Sequence, residues 1–217
     1  MTGDLIPAKV LATHTIANVS ETLAEKLGLP PQYRSIGIIT ADSDDVTYCA
    51  LDEATKAAAV EVVYGRSLYA GAANASTKLA GEVIGILAGP NPAEVQSGLR
   101  ACTEFMNSGV GFRSANEDDS IIYFAHTVSR TGTYLSKTAH VREGEALAYL
   151  IAPPLEAVVG LDEALKASDV ELAALFEPPS ETNFGGGLLT GTQSACKAAC
   201  EAFAQAVLGI AAHPREE

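Results

Sequence analysis

The sequence lacks a long apolar run and has few basic residues. No apolar stretch reaches the roughly 18 to 20 residues needed to cross a bilayer, so no membrane span is expected. The N-terminus, MTGDLIPAKVLATHTIANVS, has no basic region followed by an apolar block, and no secretory signal is expected. Only 14 lysines and arginines face 27 aspartates and glutamates, a net charge of −13. Such a chain repels nucleic acid and anionic membranes, but not a cationic or neutral small ligand. The alternative is that the acidity only keeps the protein soluble. The motifs GxxxxGK[ST], GxSxG and HExxH are all missing, so the residues alone give no argument for catalysis.

Cysteine is scarce and no CxxC pair occurs among Cys49, Cys102, Cys196 and Cys200. Cys196 and Cys200 are four apart and share a helical face, a spacing that suits either two metal ligands or two buried thiols. No matching His or Cys pair lies elsewhere, which favours thiols packed among alanines. Reduced cysteines fit the cytosol.

What is present is ample core material, 47% hydrophobic residues in 217, and an internal repeat. LDEATKAAAVE at 51–61 and LDEALKASDVE at 161–171 agree at eight of eleven positions. SIGIIT at 35–40 falls opposite EALAYL at 145–150 at the same offset of 110. HTIANVSETL (14–23) falls opposite HTVSRTGTYL (126–135) at an offset of 112, and GILAGPNPAEVQSGL (85–99) opposite GLLTGTQSACKAACE (187–201) at 102. A unit of about 105 residues, duplicated in tandem, follows from this.

One unit reads as β-α-β-α-β-β-α. Strands are expected at 9–19, 35–40, 60–65 and 81–89. A helix capped by Ser20 is stopped by Gly28 and Pro30-Pro31. A short helix at 51–59 would carry Asp52 and Glu53 in its first turn. A third helix, 91–107, has Asn91 as cap and Pro92 at its first position. The fold class is α+β: an antiparallel-rich sheet with helices on one side. Two loops rich in small residues, 64–81 and 177–187, occupy equivalent places, and Gly185-Gly186-Gly187 permits a tight approach.

ADSDDVTY holds three aspartates in four positions, Asp42, Asp44 and Asp45. A cation site and a solvated turn with Asp42 or Ser43 as cap are the competing readings. This segment resembles the shell proteins of ethanolamine-utilisation bacterial microcompartments. So do LDEATKAAAVEVVYGRSLYAGA, STKLAGEVIGILAGPNPAE, SRTGTYLSKTA, AYLIAPPLEA, PPSETNF and LTGTQSACKAACEAF. The resemblance runs from about residue 4 to 211.

It implies two tandem circularly permuted microcompartment domains, 1–112 and 113–217, and no enzyme activity. It also implies a homotrimeric, pseudohexameric tile that meets other shell proteins in a compartment shell in the cytoplasm. A gated central pore would pass metabolites or a bulky cofactor such as cobalamin. Ethanolamine would bind to Asp44, Asp45, Glu82, Phe112, Thr182, Asn183 and Phe184, with carboxylates for the ammonium, Thr and Asn for hydrogen bonds, and phenylalanines for a wall. His126 and Glu156 are the candidate zinc ligands, drawn from each of three chains at the central pore; otherwise His126 is a core or interface histidine. The rival functions are an amine- or acyl-converting enzyme and a soluble two-domain amine-binding sensor.

Overall fold

The computed structural model describes every residue except 69–72, 74, 181 and 216–217. The chain forms two compact units. The first comprises Ala8–Val110 with Gly132–Leu135; the second comprises Met1–Pro7, Gly111–Thr131 and Ser136–Glu217. Strand β1 (Leu5–Pro7) lies with the second unit because it pairs antiparallel with β6 (Gly111–Ser114), Leu5 opposite Arg113.

The first unit runs β2 (Val10–Ile16), α1 (Glu21–Lys26), β3 (Ser35–Ala41), α2 (Asp44–Ala57), β4 (Glu61–Ser67), β5 (Val83–Gly89) and α3 (Pro92–Met106). This is the expected order. Its antiparallel sheet runs β2-β3-β5-β4. One face carries α2 and α3: a Cβ at Gly85 would lie 2.8 Å from Leu51, and one at Gly37 would lie 2.6 Å from Val95. The helices are not confined to that side. Ala24 of α1 joins Ile36, Ile86 and Ala88 in a separate cluster, covered further by Leu27, Leu29 and Tyr33. Alternation along β3 explains this, since Ile36 points away from the face of Gly37.

The second unit repeats the order with β7 (Ile122–Val128), α4 (Thr133–Ala139, begun by residues of the first unit), β8 (Ala146–Ala152), α5 (Pro154–Ala167), β9 (Val170–Phe176), β10 (Gly185–Gly191) and α6 (Gln193–Ala212). Its sheet runs β1-β6-β7-β8-β10-β9. The register sharpens the repeat. His14 faces Ile38, and His126 faces Tyr149. Val62 faces Leu87, and Leu172 faces Leu189; the ladder of each outer pair is interrupted just beyond. Strand β3 therefore matches ALAYLI at 146–151, one residue later than the sequence alignment put it.

Four other expectations change. Helix α2 starts at Asp44, not at 51, so Asp52 and Glu53 lie inside it. The reason is that Asp44 and Asp45 in the first turn complement the helix dipole. Ser20 occupies the cap position of α1, but its side chain makes no cap bond, whereas Asn91 accepts from the Glu94 N–H as expected. Gly185–Gly187 are strand residues of β10, with Gly186 and Gly187 paired on both sides. At Gly186, φ is +154° and a Cβ would fall 1.9 Å from the Leu150 carbonyl oxygen, so only glycine fits.

Finally, α6 is long and apolar enough by length and composition to cross a membrane, with mean hydropathy 1.3, contrary to the reading of the sequence. Its alanines raise the average; its buried stripe of Cys196, Ala199, Cys200, Phe203 and Val207 belongs to the core over β8 and β10. All four cysteines are buried and free. Burial pushes the Cys102 thiol up to about 12 and Cys200 up to about 11, which leaves them protonated and inert.

Candidate functional site

The acidic segment is the hinge between β3 and α2. After Ala41 the chain turns through Asp42 and Ser43, then enters α2. Asp42 is tied to the neighbouring backbone: the Lys9 N–H donates to Asp42 Oδ1 at 2.6 Å, and the Asp42 N–H donates to the Lys9 carbonyl at 3.2 Å. Asp44 and Asp45 are 7% and 6% exposed, so the solvated-turn reading fails for both. Ser43 Oγ is buried and has no hydrogen-bond partner among the described residues, although Ser43 sits at the cap position.

A hydroxyl relay reaches Asp44 from β4 and from within α2. Ser67 Oγ donates to Asp44 Oδ2 at 2.7 Å. Ser67 has one proton, so the Tyr48 hydroxyl, 2.6 Å away, must be the donor to Ser67. Burial raises the Tyr48 phenol well above its ordinary value, which keeps that proton in place.

Glu82 joins from the residue before β5. Its N–H donates to the Ala41 carbonyl at 2.8 Å, and its own carbonyl accepts from Leu68 N–H at 2.6 Å. Gly81 makes this approach possible: φ is +61° there, and a Cβ would lie 2.1 Å from the Ala41 carbonyl oxygen. Burial first, then the negative charges of Asp44 and Asp42, push the Glu82 carboxyl up to about 7. Among the described residues no lysine or arginine forms an ion pair with Asp42, Asp44 or Glu82. A compact cation would relieve that repulsion and ionise Glu82.

The remaining candidates belong to the second unit. Phe112, on β6, is buried against Phe124 at 5.4 Å and Phe184 at 5.9 Å. Thr182 and Asn183 form the turn before β10. The Ser180 N–H donates to the Phe184 carbonyl, the Asn183 N–H donates back to the Ser180 carbonyl, and Asn183 has φ +67°. His126 lies on β7, stacked on Phe124 at 5.7 Å, and Glu156 lies in the first turn of α5. Among the described residues no three His, Cys, Asp or Glu side chains converge to hold a metal. A zinc on His126 and Glu156 would have to draw on further chains.

The structure thus brings together Asp44 with Glu82, and Phe112 with Phe184. Sequence reasoning named Asp42 only within the acidic run and left it out of the ethanolamine site, and it assigned no site role to Ser67 or Tyr48. Their signal was weak: Ser67 and Tyr48 are ordinary residues until β4 and the early start of α2 put their hydroxyls in line.

A family model described as the BMC domain matches residues 35–115. The chain is 69% identical to the bacterial microcompartment shell protein EutL of Clostridium perfringens over 99% of both chains. It is 57% identical to EutL of Escherichia coli over 97% of this chain and 96% of that one. Among solved structures, the ethanolamine utilization protein EutL from Leptotrichia buccalis superposes with a TM-score of 0.99, at 67% identity and full coverage of both chains. These relatives are structural shell proteins rather than enzymes. The chain belongs to the EutL family of bacterial microcompartment shell proteins, and its place is the compartment shell.

Proposed function

We propose that three copies of this chain form a tile of the shell of an ethanolamine-degrading compartment. The tile has a gated central pore, and each chain takes up ethanolamine at the acidic turn between β3 and α2. The observation that carries the ligand reading is the cluster of Asp42, Asp44 and Glu82, which has no basic partner among the described residues and is joined to the Ser67 and Tyr48 hydroxyls. Ethanolamine at neutral pH is an ammonium with one hydroxyl. Its charge answers the carboxylates, and its donors find acceptors there.

The pore passes metabolites or a bulky cofactor such as cobalamin, and the ligand acts as its regulator. Its influence on the gate equals its differential affinity for the open and closed states. Zinc on the axis is proposed only as a site of three chains, each offering His126 and Glu156.

Calorimetric titration with ethanolamine tests the site. Wild-type protein binds, and Glu82→Gln binds about 1.5 to 3 kcal/mol more weakly, the range for a charge-assisted hydrogen bond. Binding draws a proton from Glu82, so wild-type affinity rises between pH 6 and pH 8 and the variant's does not. Equal affinity in wild type and variant removes Glu82 from the site. Light scattering tests the tile: three times the chain mass of 22.4 kDa supports it, and a monomer at every concentration overturns it.

A further inference from the structure

Helix α2 begins differently from the helices that a side chain caps. The side chains of Asn91 and Thr192 accept from the N–H groups of Glu94 and Ala195, at 3.0 and 3.2 Å, at the starts of α3 and α6. Ser43 holds the same position on α2 with extended backbone, φ −149° and ψ 119°, yet its side chain makes no such bond. The first turn is served from inside the helix instead: the Asp45 N–H donates to Asp44 Oδ1 at 2.8 Å. That leaves Ser43 Oγ buried and unpartnered, the one side-chain nitrogen or oxygen in that condition among the described residues. A buried hydroxyl without a partner is costly, so keeping one calls for a partner from outside the chain.

The hydroxyl stands inside the acidic turn. Ser43 lies between Asp42 and Asp44, the two carboxylates whose charge acts on Glu82. Ala41, two residues earlier, accepts from the Glu82 N–H at 2.8 Å. All of these residues belong to the first unit.

An amino alcohol makes two demands of such a site. Its ammonium offers three donors, which the carboxylates answer. Its alcohol oxygen also has lone pairs and requires a donor, and an ionised carboxylate has none to give. The protons of the nearby hydroxyls are already committed. Ser67 donates to Asp44, and Tyr48 donates to Ser67. Thr47 Oγ1 donates to the Ser43 carbonyl at 2.6 Å, and Thr40 Oγ1 donates to the Leu79 carbonyl at 2.6 Å. The hydroxyl proton that remains is that of Ser43. The second repeat has no equivalent. Helices α2 and α5 have the same length, so Asp52 corresponds to Asp162 and Ser43 to Pro153, which has no hydroxyl.

We infer that the Ser43 hydroxyl donates to the alcohol oxygen of the ligand and so selects an amino alcohol over a plain amine. This rests on the acidic turn being the ethanolamine site, and it adds the residue that reads the uncharged end of the ligand. The carboxylates alone do not make that distinction, since ethylamine carries the same ammonium. An analogue without the hydroxyl forgoes the bond and leaves Ser43 unpaired.

Calorimetric titration of wild type and Ser43→Ala with ethanolamine and with ethylamine tests the assignment. The hydroxyl bonds to nothing among the described residues, so its removal leaves α2 folded, which thermal melting verifies. Ser43→Ala weakens ethanolamine binding about tenfold and leaves ethylamine binding unchanged. Wild type therefore prefers ethanolamine, and the variant loses most of that preference. Unchanged ethanolamine binding in the variant overturns the inference and leaves water as the partner of Ser43. Equal weakening of both amines also overturns it and makes Ser43 a support for the start of α2. A wild-type chain that binds neither amine overturns the ligand site itself, a failure distinct from the other two.

Discussion

The turn from β3 into α2 and the turn from β8 into α5 occupy the same place in the two repeats. The first has Asp42 and Ser43 between strand and helix, then Asp44 and Asp45. The second has only Pro153, then Pro154, Leu155 and Glu156. One is a buried acidic cluster wired to hydroxyls; the other exposes Leu155 and leaves Glu156 in the first turn of a helix begun by proline. Packing against the sheet constrains residues such as Leu51 and Leu161 equally, because losing either buried side chain leaves a cavity. Nothing in that packing constrains the outer residues. Duplication therefore leaves the second turn free to take up a different task.

The strongest test of the contrast is removal of the paired aspartates. Asp52→Ala leaves the buried N–H groups of Gly132 and Leu135 without their acceptor and removes one of the carboxylates beside Lys56, and should cost about 3 to 5 kcal/mol. Denaturant unfolding measures it. Asp162→Ala should leave the fold of the chain intact, because its side chain meets solvent. A similar loss of folding in both variants would break the comparison.

Next in size is Gly81→Ala, which places a methyl against the Ala41 carbonyl and should destabilise by about 1 to 3 kcal/mol. The same variant should also weaken ethanolamine binding, because Glu82 can no longer sit beside the acidic turn. Unchanged melting would show that the backbone there yields.

Acid titration sharpens the contrast further. Glu82 has a folded-state carboxyl raised from 4.5 to about 7. The folded state therefore holds its proton more tightly than the unfolded state does. The resulting stability is fully present below about pH 4.5 and is lost as the pH rises through about 7. Thermal melts of wild-type protein and Glu82→Gln between pH 5 and pH 8 should diverge, the variant losing less. Parallel curves would mean that Glu82 titrates normally.

The smallest effect expected is that of Tyr48→Phe. It removes the donor to Ser67 and should cost about 0.5 to 1.5 kcal/mol, seen as a modest shift in chemical unfolding. No change would place the phenol outside the relay.

Much of this was legible beforehand. The repeat, the order β-α-β-α-β-β-α, the cap at Asn91 and the shared face of Cys196 and Cys200 are all local patterns of period and spacing. Where local signals compete, reading failed. Asp44 and Asp45 look like a solvated turn, and only the packing of α2 against the sheet shows them as a buried first turn. The one-residue slip at β3 arose because both runs carry apolar residues at consecutive positions rather than in alternation, so hydrophobicity does not mark register.

The sequence alone determined that two similar α+β units exist and in what order their strands and helices run, because period and spacing are written residue by residue. Only the tertiary structure decided that Glu82 meets Asp44 while Asp162 meets solvent. Desolvation and charge repulsion depend on which elements stand within a few ångströms of each other, and residues far apart along the chain carry no mark of that meeting.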